Sequence, residues 1–455
     1  MTEYTVTDPA TGETIRRYPT ATDAEIGAAV DAAHAAFAVW RSRPLAERAG
    51  ILRRVAEIYR AERDRLAEIA TREMGKTTAQ ALGEVDLVAD IFDYYAERGP
   101  DALADRPIDT APGTAVVRTA PVGVLLGVMP WNYPYYQVAR FSAPNLLLGN
   151  TVLLKPAPAC PESAEAIDEI FARAGLPAGV HTGIRATNDQ VATIIGRAEV
   201  QGVSLTGSER AGRAVAALAG AAGKKVVLEL GGSDPFIVLP DADVAAAVKA
   251  AVLGRMQNAG QACTASKRFL VADEVFDAFV EGFARSVEGL TVGNPNEEGV
   301  DMGPLSSESA AQAVMAQVDD AVAHGATVIA GGRRLERAGA FIEPTILANV
   351  PQAARAYREE IFGPVAVVHR VTSAEQAVEI ANDTPFGLGS VVFGADPEAI
   401  EGVVSRLEVG MVAINGPSMT QPDLPFGGVK ASGFGRELGD FGLFEFANRK
   451  LIRTL

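Results

Sequence analysis

Apolar residues in the first quarter of the chain recur at spacings of three and four. AEIGAAVDAAHAAFAVW and ILRRVAEIYRAERDRLAEIATREMG carry this rhythm, so residues 21–100 are predicted to be helical. From residue 115 the pattern becomes short apolar runs rich in β-branched residues. VGVLLGV (122–128), TVLLK (151–155), GVHTGI (179–184), VQGVSL (200–205) and KKVVLEL (224–230) read as strands. Helical segments such as PESAEAIDEIFARAG and ERAGRAVAALAG lie between them. Strands alternating with helices at about 20–30 residues predict a parallel sheet covered by helices on both faces. Ligands then bind beyond the carboxyl ends of the strands. A second α/β block is predicted from PFIVL (235–239), SKRFLV (266–271), PVAVVHRV (364–371), SVVFG (390–394) and MVAIN (411–415). Its helices are expected over 274–288, 307–323, 373–382 and 397–407. The tail from Val429 mixes glycine-rich turn with apolar strand.

Composition narrows the class. A chain of 455 residues is too long for one ordinary core and fits two or three domains. Acidic residues outnumber basic ones 57 to 41, for a net charge of −16. Such a surface repels phosphate backbones and anionic lipid heads, so neither nucleic acid nor membrane is an expected partner. No apolar stretch reaches the ~18 residues of a membrane helix. The start, MTEYTVTDPATGE, lacks the basic and apolar segments of a signal peptide. The two cysteines, Cys160 and Cys263, make no disulfide framework, so a cytoplasmic enzyme is expected. His34, His181, His324 and His369 have no ligand spacing, and no metal site is expected.

Four segments could carry chemistry. TGSERAG (206–212) leaves a strand through Gly207 and opens a helix. That turn offers free N–H groups and the positive end of a helix dipole to a phosphate, with the Ser208 hydroxyl beside them. Taken alone, it is more simply an ordinary helix cap. Glu229, in LELGG, is a carboxylate in an apolar strand. It is either an end-of-strand charge reaching water or a general base whose pKa burial raises. Cys263, in NAGQACTASKR, stands in a flexible loop of small residues between a helix ending near Met256 and the strand SKRFLV. A lone cysteine is commonly a small buried hydrophobe. This one leaves room for a substrate, and an activated thiol attacks carbonyl carbon well. Asn132, in MPWNYPYYQVAR, either caps the helix that follows or donates its amide to an oxyanion. If that helix starts near Pro134, Tyr136 and Arg140 share one face at i, i+4.

Together and in this order, PWNYP, LLKPAP, LTGSERAG, LELGGSDPFIV, NAGQACTASKR, EEIFGPVAVV and PFGGVKASGFGRELG resemble the aldehyde dehydrogenase superfamily over essentially the whole chain. The resemblance implies three parts. They are a Rossmann-type dinucleotide-binding domain (1–112 and 126–231), an α/β catalytic domain (232–428) and a small β oligomerisation arm (113–125 and 429–455). It implies that Cys263 attacks the aldehyde, that Asn132 and the Cys263 N–H hold the oxyanion, and that Glu229 activates the water that hydrolyses the thioester. Relatives that pass the acyl group to coenzyme A need no such base, so Glu229 favours a free acid as product. The cofactor contacts implied are Pro130, Trp131, Lys155, Pro158, Thr206, Gly207, Ser208, Leu230, Glu360 and Phe362. Of these, Lys155 matches the adenosine-ribose ligand, Ser208 the pyrophosphate contact, and Glu360 and Phe362 the nicotinamide-ribose and ring contacts.

Many members carry a bulky apolar or aromatic residue eight positions after the oxyanion Asn, and then a Lys. Here Arg140 and Phe141 occupy those positions, as in the shorter bacterial succinate-semialdehyde branch of the family. That similarity implies that Arg140 pairs with the far carboxylate of an acidic aldehyde, with Tyr136 and Thr420 beside it. The alternative for Arg140 is a surface or interdomain salt bridge. Glutarate semialdehyde and small aliphatic aldehydes are alternative substrates. Pro158 stands where NAD-specific relatives often carry a Glu that repels a 2′-phosphate, and it can neither repel nor bind one. The expectation is therefore NAD or NADP, leaning to NAD. Ala265 replaces the second cysteine of relatives with a redox switch, and Cys160 is expected to be structural. A homodimer or homotetramer is expected.

Overall fold

The computed structural model describes residues 3–455, so the first two residues of the expected cofactor domain lie outside it. Four helices occupy the predicted helical region: Asp23–Trp40, Leu45–Ala61, Arg63–Met74 and Thr78–Ala102. The first opens with a reciprocal cap between Thr22 and Glu25, and the third stops at Gly75 in a left-handed conformation. The last three pack with the helix Tyr136–Leu148 into one large core, while the first lays Ile26, Val30 and Ala33 against Val124, Leu126 and Leu153. None of the described helices is long and apolar enough to cross a membrane.

Six strands form the first sheet, in the order Gly433–Phe434, Lys225–Glu229, Val200–Thr206, Val124–Val128, Thr151–Lys155, His181–Gly183. The five predicted strands all pair in parallel, and only Gly433–Phe434 runs the other way. The chain winds outward from Val124–Val128 to His181–Gly183, then returns beside its starting strand as Val200–Thr206. That reversal opens a crevice at the carboxyl ends of those two neighbouring strands. The segments that leave them there are PWNYP and TGSERAG.

The second sheet has seven strands: Thr327–Ala330, Thr345–Ala348, Val365–Val371, Ser266–Ala272, Asp234–Val238, Gly389–Phe393 and Met411–Ile414. Thr327–Ala330 and Thr345–Ala348 escape the sequence pattern. Each spans only four residues, too few to show a period. The hairpin of Tyr4–Thr7 and Thr14–Tyr18 escapes it too, because its second strand, TIRRY, is polar and mostly exposed. A third sheet pairs Ala447–Thr454, Thr114–Pro121 and Arg106–Ile108, all antiparallel. The tail from Val429 therefore divides: Gly433–Phe434 extends the first sheet and Ala447–Thr454 the third. Arg106–Ile108, expected in the cofactor domain, also joins the third sheet.

Candidate active site

The carboxyl ends of the first sheet face the amino ends of the second. Glu229 closes one of the former, while Cys263 precedes Ser266–Ala272 among the latter. Between them lies a cleft of about 270 Å³, lined by Pro130, Trp131, Asn132, Gln137, Thr206, Gly207, Ser208, Glu229, Leu230, Gly231, Cys263, Glu360 and Phe362. Residues 130 to 362 of the sequence thus converge on one space. Five expected site residues stay out of its lining: Lys155, Pro158, Tyr136, Arg140 and Thr420.

The Cys263 loop is tightly held, which corrects the expectation of a flexible one. Asn258, Ala259 and Gly260 take left-handed backbone conformations. Three side-chain amides then bind the turn. Asn132 Nδ2 donates to Gln261 O (3.1 Å), Asn258 Nδ2 donates to Asn132 O (3.0 Å), and Gln261 Nε2 donates to Asn258 O (3.1 Å). Asn132 therefore does not cap the next helix. One of its two amide hydrogens is spent on Gln261, the other has no protein acceptor, and the residue lines the cleft.

The cap comes from elsewhere. Glu84 Oε1 accepts from the Tyr135 and Tyr136 N–H groups at 2.9 and 3.0 Å. Its other oxygen pairs with fully buried Lys76, whose ammonium stands 3.9 Å over the Tyr133 ring. This ion pair seats the turn that carries Asn132. Glu84→Gln is expected to cost about 3–5 kcal/mol of stability, because it strands a buried cation. A urea midpoint equal to wild type would contradict this.

Burial dominates the electrostatics of the cleft. Glu229 is 1% exposed, and neither carboxylate oxygen has a hydrogen-bond partner. A Cβ on Gly427 would come within 2.7 Å of Glu229 Oε1, so only glycine leaves that oxygen its place. Burial raises the Glu229 pKa well above the carboxylate range, while Arg140 opposes and Glu437 reinforces the shift. Burial also pushes the Cys263 thiol up to about 12, against the pull of Arg140 and Lys267. Burial thus favours the neutral form of both groups. Such a carboxyl becomes a strong base once it loses its proton.

The lining also fits a dinucleotide. Thr206, Gly207 and Ser208 lead from a strand into the helix Glu209–Ala221, whose first N–H groups form an anion site at the crevice. Ser208 also caps that helix, accepting from Ala211 N–H at 3.4 Å. Gly231 passes so close to Glu360 Oε2 that a Cβ there would collide with it. Trp131 and Phe362 meet edge to face with ring centroids 5.7 Å apart. Lys155 closes the neighbouring strand, and burial lowers its pKa to about 8 with no carboxylate contributing. Its ammonium lies 5.6 Å from the centre of the Tyr4 ring. Pro158 accepts a hydrogen bond from Thr5 N–H at 2.9 Å through its carbonyl. Cys160 is buried with its Sγ 3.7 Å from Trp131 O.

Tyr136, Arg140 and Thr420 form a connected group behind the cleft. Arg140 is wholly buried. It donates from Nη1 to Tyr136 Oη (3.1 Å) and from Nη2 to Thr206 Oγ1 (3.2 Å), and Nε pairs with Glu437. Its guanidinium lies 4.3 Å from the centre of the Phe426 ring. Thr420 stands near the Tyr136 hydroxyl and, with Arg140, works against the rise that burial gives its pKa. The i, i+4 pairing of Tyr136 and Arg140 holds, and the salt bridge that stood as the alternative for Arg140 exists. Glu437, Gln137 and Lys267 escaped the sequence reading. Glu437 lies in the FGRELG segment, but no local period marks a carboxylate that reaches a helix so distant in sequence.

A strand-switch crevice, a thiol and a buried carboxylate facing each other across it, and a phosphate-type helix start define a nicotinamide-dependent dehydrogenase of the covalent-thiol type. Comparisons with known proteins agree. The profile of the aldehyde dehydrogenase family matches residues 1–452. The chain is 50% identical over 451 residues to a succinate-semialdehyde dehydrogenase (NADP+) from Deinococcus radiodurans, covering 99% of this chain and 94% of that protein. It is 45% identical over 448 residues to succinate-semialdehyde dehydrogenase (NADP+) 1 of Mycobacterium tuberculosis, covering 98% of each. Its fold superposes with a TM-score of 0.97 on succinic semialdehyde dehydrogenase from Streptococcus pyogenes in complex with NADP+, at 42% identity and 99% coverage of both chains. The chain belongs to the aldehyde dehydrogenase family and uses a nicotinamide dinucleotide. These relatives are named for NADP+, which runs against the lean to NAD drawn from Pro158. Proline sets no charge against a 2′-phosphate, so its presence gave NAD no advantage.

Proposed function

We propose that this protein oxidises succinate semialdehyde to succinate with NADP+. The observation that carries the substrate is the buried Arg140 beside Tyr136 and Thr420, next to Glu229 and Cys263. Of the five guanidinium N–H donors, two are hydrogen-bonded, to Tyr136 and Thr206, so donors remain for a substrate carboxylate beside the ion pair with Glu437. The same reaction in the named relatives supports this choice. The test is an aldehyde panel run with NADP+ and NAD+ separately. Succinate semialdehyde should have the highest kcat/KM, ahead of glutarate semialdehyde and neutral butanal. Preference for the neutral aldehyde would refute the assignment.

Cys263 gives its proton to water, and the thiolate attacks the aldehyde carbon to form a thiohemiacetal anion. The free Asn132 amide hydrogen and the Cys263 N–H donate to the oxyanion. A nicotinamide dinucleotide held between Trp131, Ser208, Glu360 and Phe362 would supply the hydride acceptor that turns the thiohemiacetal into a thioester. Glu229 then takes a proton from water as the water oxygen attacks the thioester. The C–S bond breaks, and the acid leaves.

Lys155 supports NADP+. Its ammonium has no carboxylate partner, and no acid stands at Pro158 to repel a phosphate. A lysine with its pKa near 8 is charged below that pH and neutral above it. KM for NADP+ should therefore rise as pH passes through about 8, and KM for NAD+ should rise less. Parallel pH profiles for the two cofactors would remove this role from Lys155.

The three-stranded sheet is proposed as the oligomerisation arm. Its outer strands expose Ile108 and Leu451, apolar residues on unpaired edges that a second copy would cover. A dimer or tetramer by light scattering is the expected result. Two cysteines with no disulfide fit the proposed cytoplasmic location.

A further inference from the structure

Lys267 has no part in the reaction described above, yet it touches both halves of the site. It lies four residues after Cys263 at the start of Ser266–Ala272, and is 2% exposed. Its ammonium donates to three carbonyls of the nucleophile loop: Ala262 O at 3.2 Å, Cys263 O at 3.0 Å and Ala265 O at 3.2 Å. It also lies 3.3 Å from Glu360 Oε1, which accepts from Gly232 N–H at 3.1 Å. An ammonium has three N–H donors and no acceptor. Four oxygens around one cation, in a site closed to water, make a clamp.

We infer that Lys267 is a positioning residue that holds the Cys263 loop and sets the reactivity of its thiol against Glu360. Neutral donors such as Asn258 and Gln261 already secure the loop's turn. A charged clamp adds what they lack: a cation on the nucleophile's own carbonyl, within electrostatic reach of its thiol, and a carboxylate that partly cancels it. Every charged group facing the thiol can be named. Arg140, from the helix Tyr136–Leu148, and Lys267 favour the thiolate; Glu360, before Val365–Val371, and Glu229, from Lys225–Glu229, disfavour it. Around Lys267 itself stand Glu360, Arg255 and Asp234. Lys267 and Glu360 thus act on the same sulfur with opposite signs through one ion pair. Glu360 is also a proposed cofactor contact, so seating the cofactor and readying the thiol would share one side chain.

This inference rests on Cys263 being the reactive thiol, which Cys263→Ala tests separately by activity. The experiment here reads no turnover. The full-length enzyme without cofactor is alkylated with iodoacetamide at pH 8.5, and the Cys263 peptide is followed by mass spectrometry. Cys160 is buried and serves as the internal control. A one-unit change in thiol pKa alters the thiolate fraction tenfold, partly offset by altered nucleophilicity, so effects of about 3- to 10-fold are expected. Lys267→Met should slow alkylation by that factor, Lys267→Arg should recover most of it, and Glu360→Gln should speed it. A clamp that only held the loop's shape would loosen in both Lys267→Met and Glu360→Gln and shift them the same way. Equal-sign shifts, or none, in variants with wild-type near-ultraviolet circular dichroism would overturn the inference. If Lys267→Met does not fold, Glu360→Gln decides: faster alkylation supports the inference, and unchanged or slower alkylation overturns it.

Discussion

Glu229→Gln should release one equivalent of reduced cofactor per active site and then turn over roughly 10²- to 10⁴-fold more slowly than wild type. The burst reports attack by Cys263 and hydride loss, which need no base to activate water. The slow phase reports hydrolysis of the thioester, which does. The substitution is unusually clean, because neither Glu229 oxygen holds a hydrogen bond that an amide would lose. Rapid-mix absorbance at 340 nm separates the two phases. Loss of the burst together with the steady state would show that Glu229 serves the attack as well, and an unchanged steady state would remove its role as the base. The same variant carries a pH signature. Burial raises the Glu229 pKa in the folded state, so ionisation of the unfolded chain is the easier one. Wild-type stability should then fall, relative to the Gln variant, as pH climbs above the unfolded value of about 4.3. Melting temperatures of both proteins from pH 4 to 8 would reveal a widening gap.

What the sequence revealed, and what it hid, follows from range. Strands such as TVLLK and VQGVSL announce themselves because nearly every position is buried, and their centres are correspondingly rich in Val and Leu. The tetrapeptides Thr327–Ala330 and Thr345–Ala348 are too short to announce anything. Cys263, Glu229 and Asn132 were legible through their motifs, although each alone admitted a plain structural reading. Ser208 is the helix cap of its plain reading and also lines the cleft. The hidden residues are those whose role is a contact. Lys267 reads as an ordinary basic residue in KRF until three carbonyls and Glu360 surround it. Glu437 lies nearly 300 positions from Arg140 in sequence and touches it in space. Spacing rules reach one turn of helix or one hairpin, and these partners are far outside that reach.

That contact changes how the selectivity of Arg140 must be tested. Arg140→Ala alone should raise KM for succinate semialdehyde by about 10- to 150-fold, the equivalent of one charge-assisted hydrogen bond worth roughly 1.5–3 kcal/mol. A neutral aldehyde of similar length should lose far less. The same variant strands Glu437 in a buried site, at a cost of about 3–5 kcal/mol, so a damaged fold could imitate a damaged pocket. Arg140→Met combined with Glu437→Gln avoids this. Methionine keeps much of the arginine stem's bulk, glutamine can still accept from the Ser204 hydroxyl that now bonds Glu437, and no unpaired charge remains. The double variant should recover most of the melting temperature and none of the preference for the acidic aldehyde. Recovery of both would mean that Arg140 acts only through Glu437 and the fold. Equal losses for acidic and neutral aldehydes would mean that the guanidinium never meets the substrate carboxylate. Stability restored with selectivity lost is the one outcome that places the carboxylate on Arg140, because only a direct charge contact separates the two quantities.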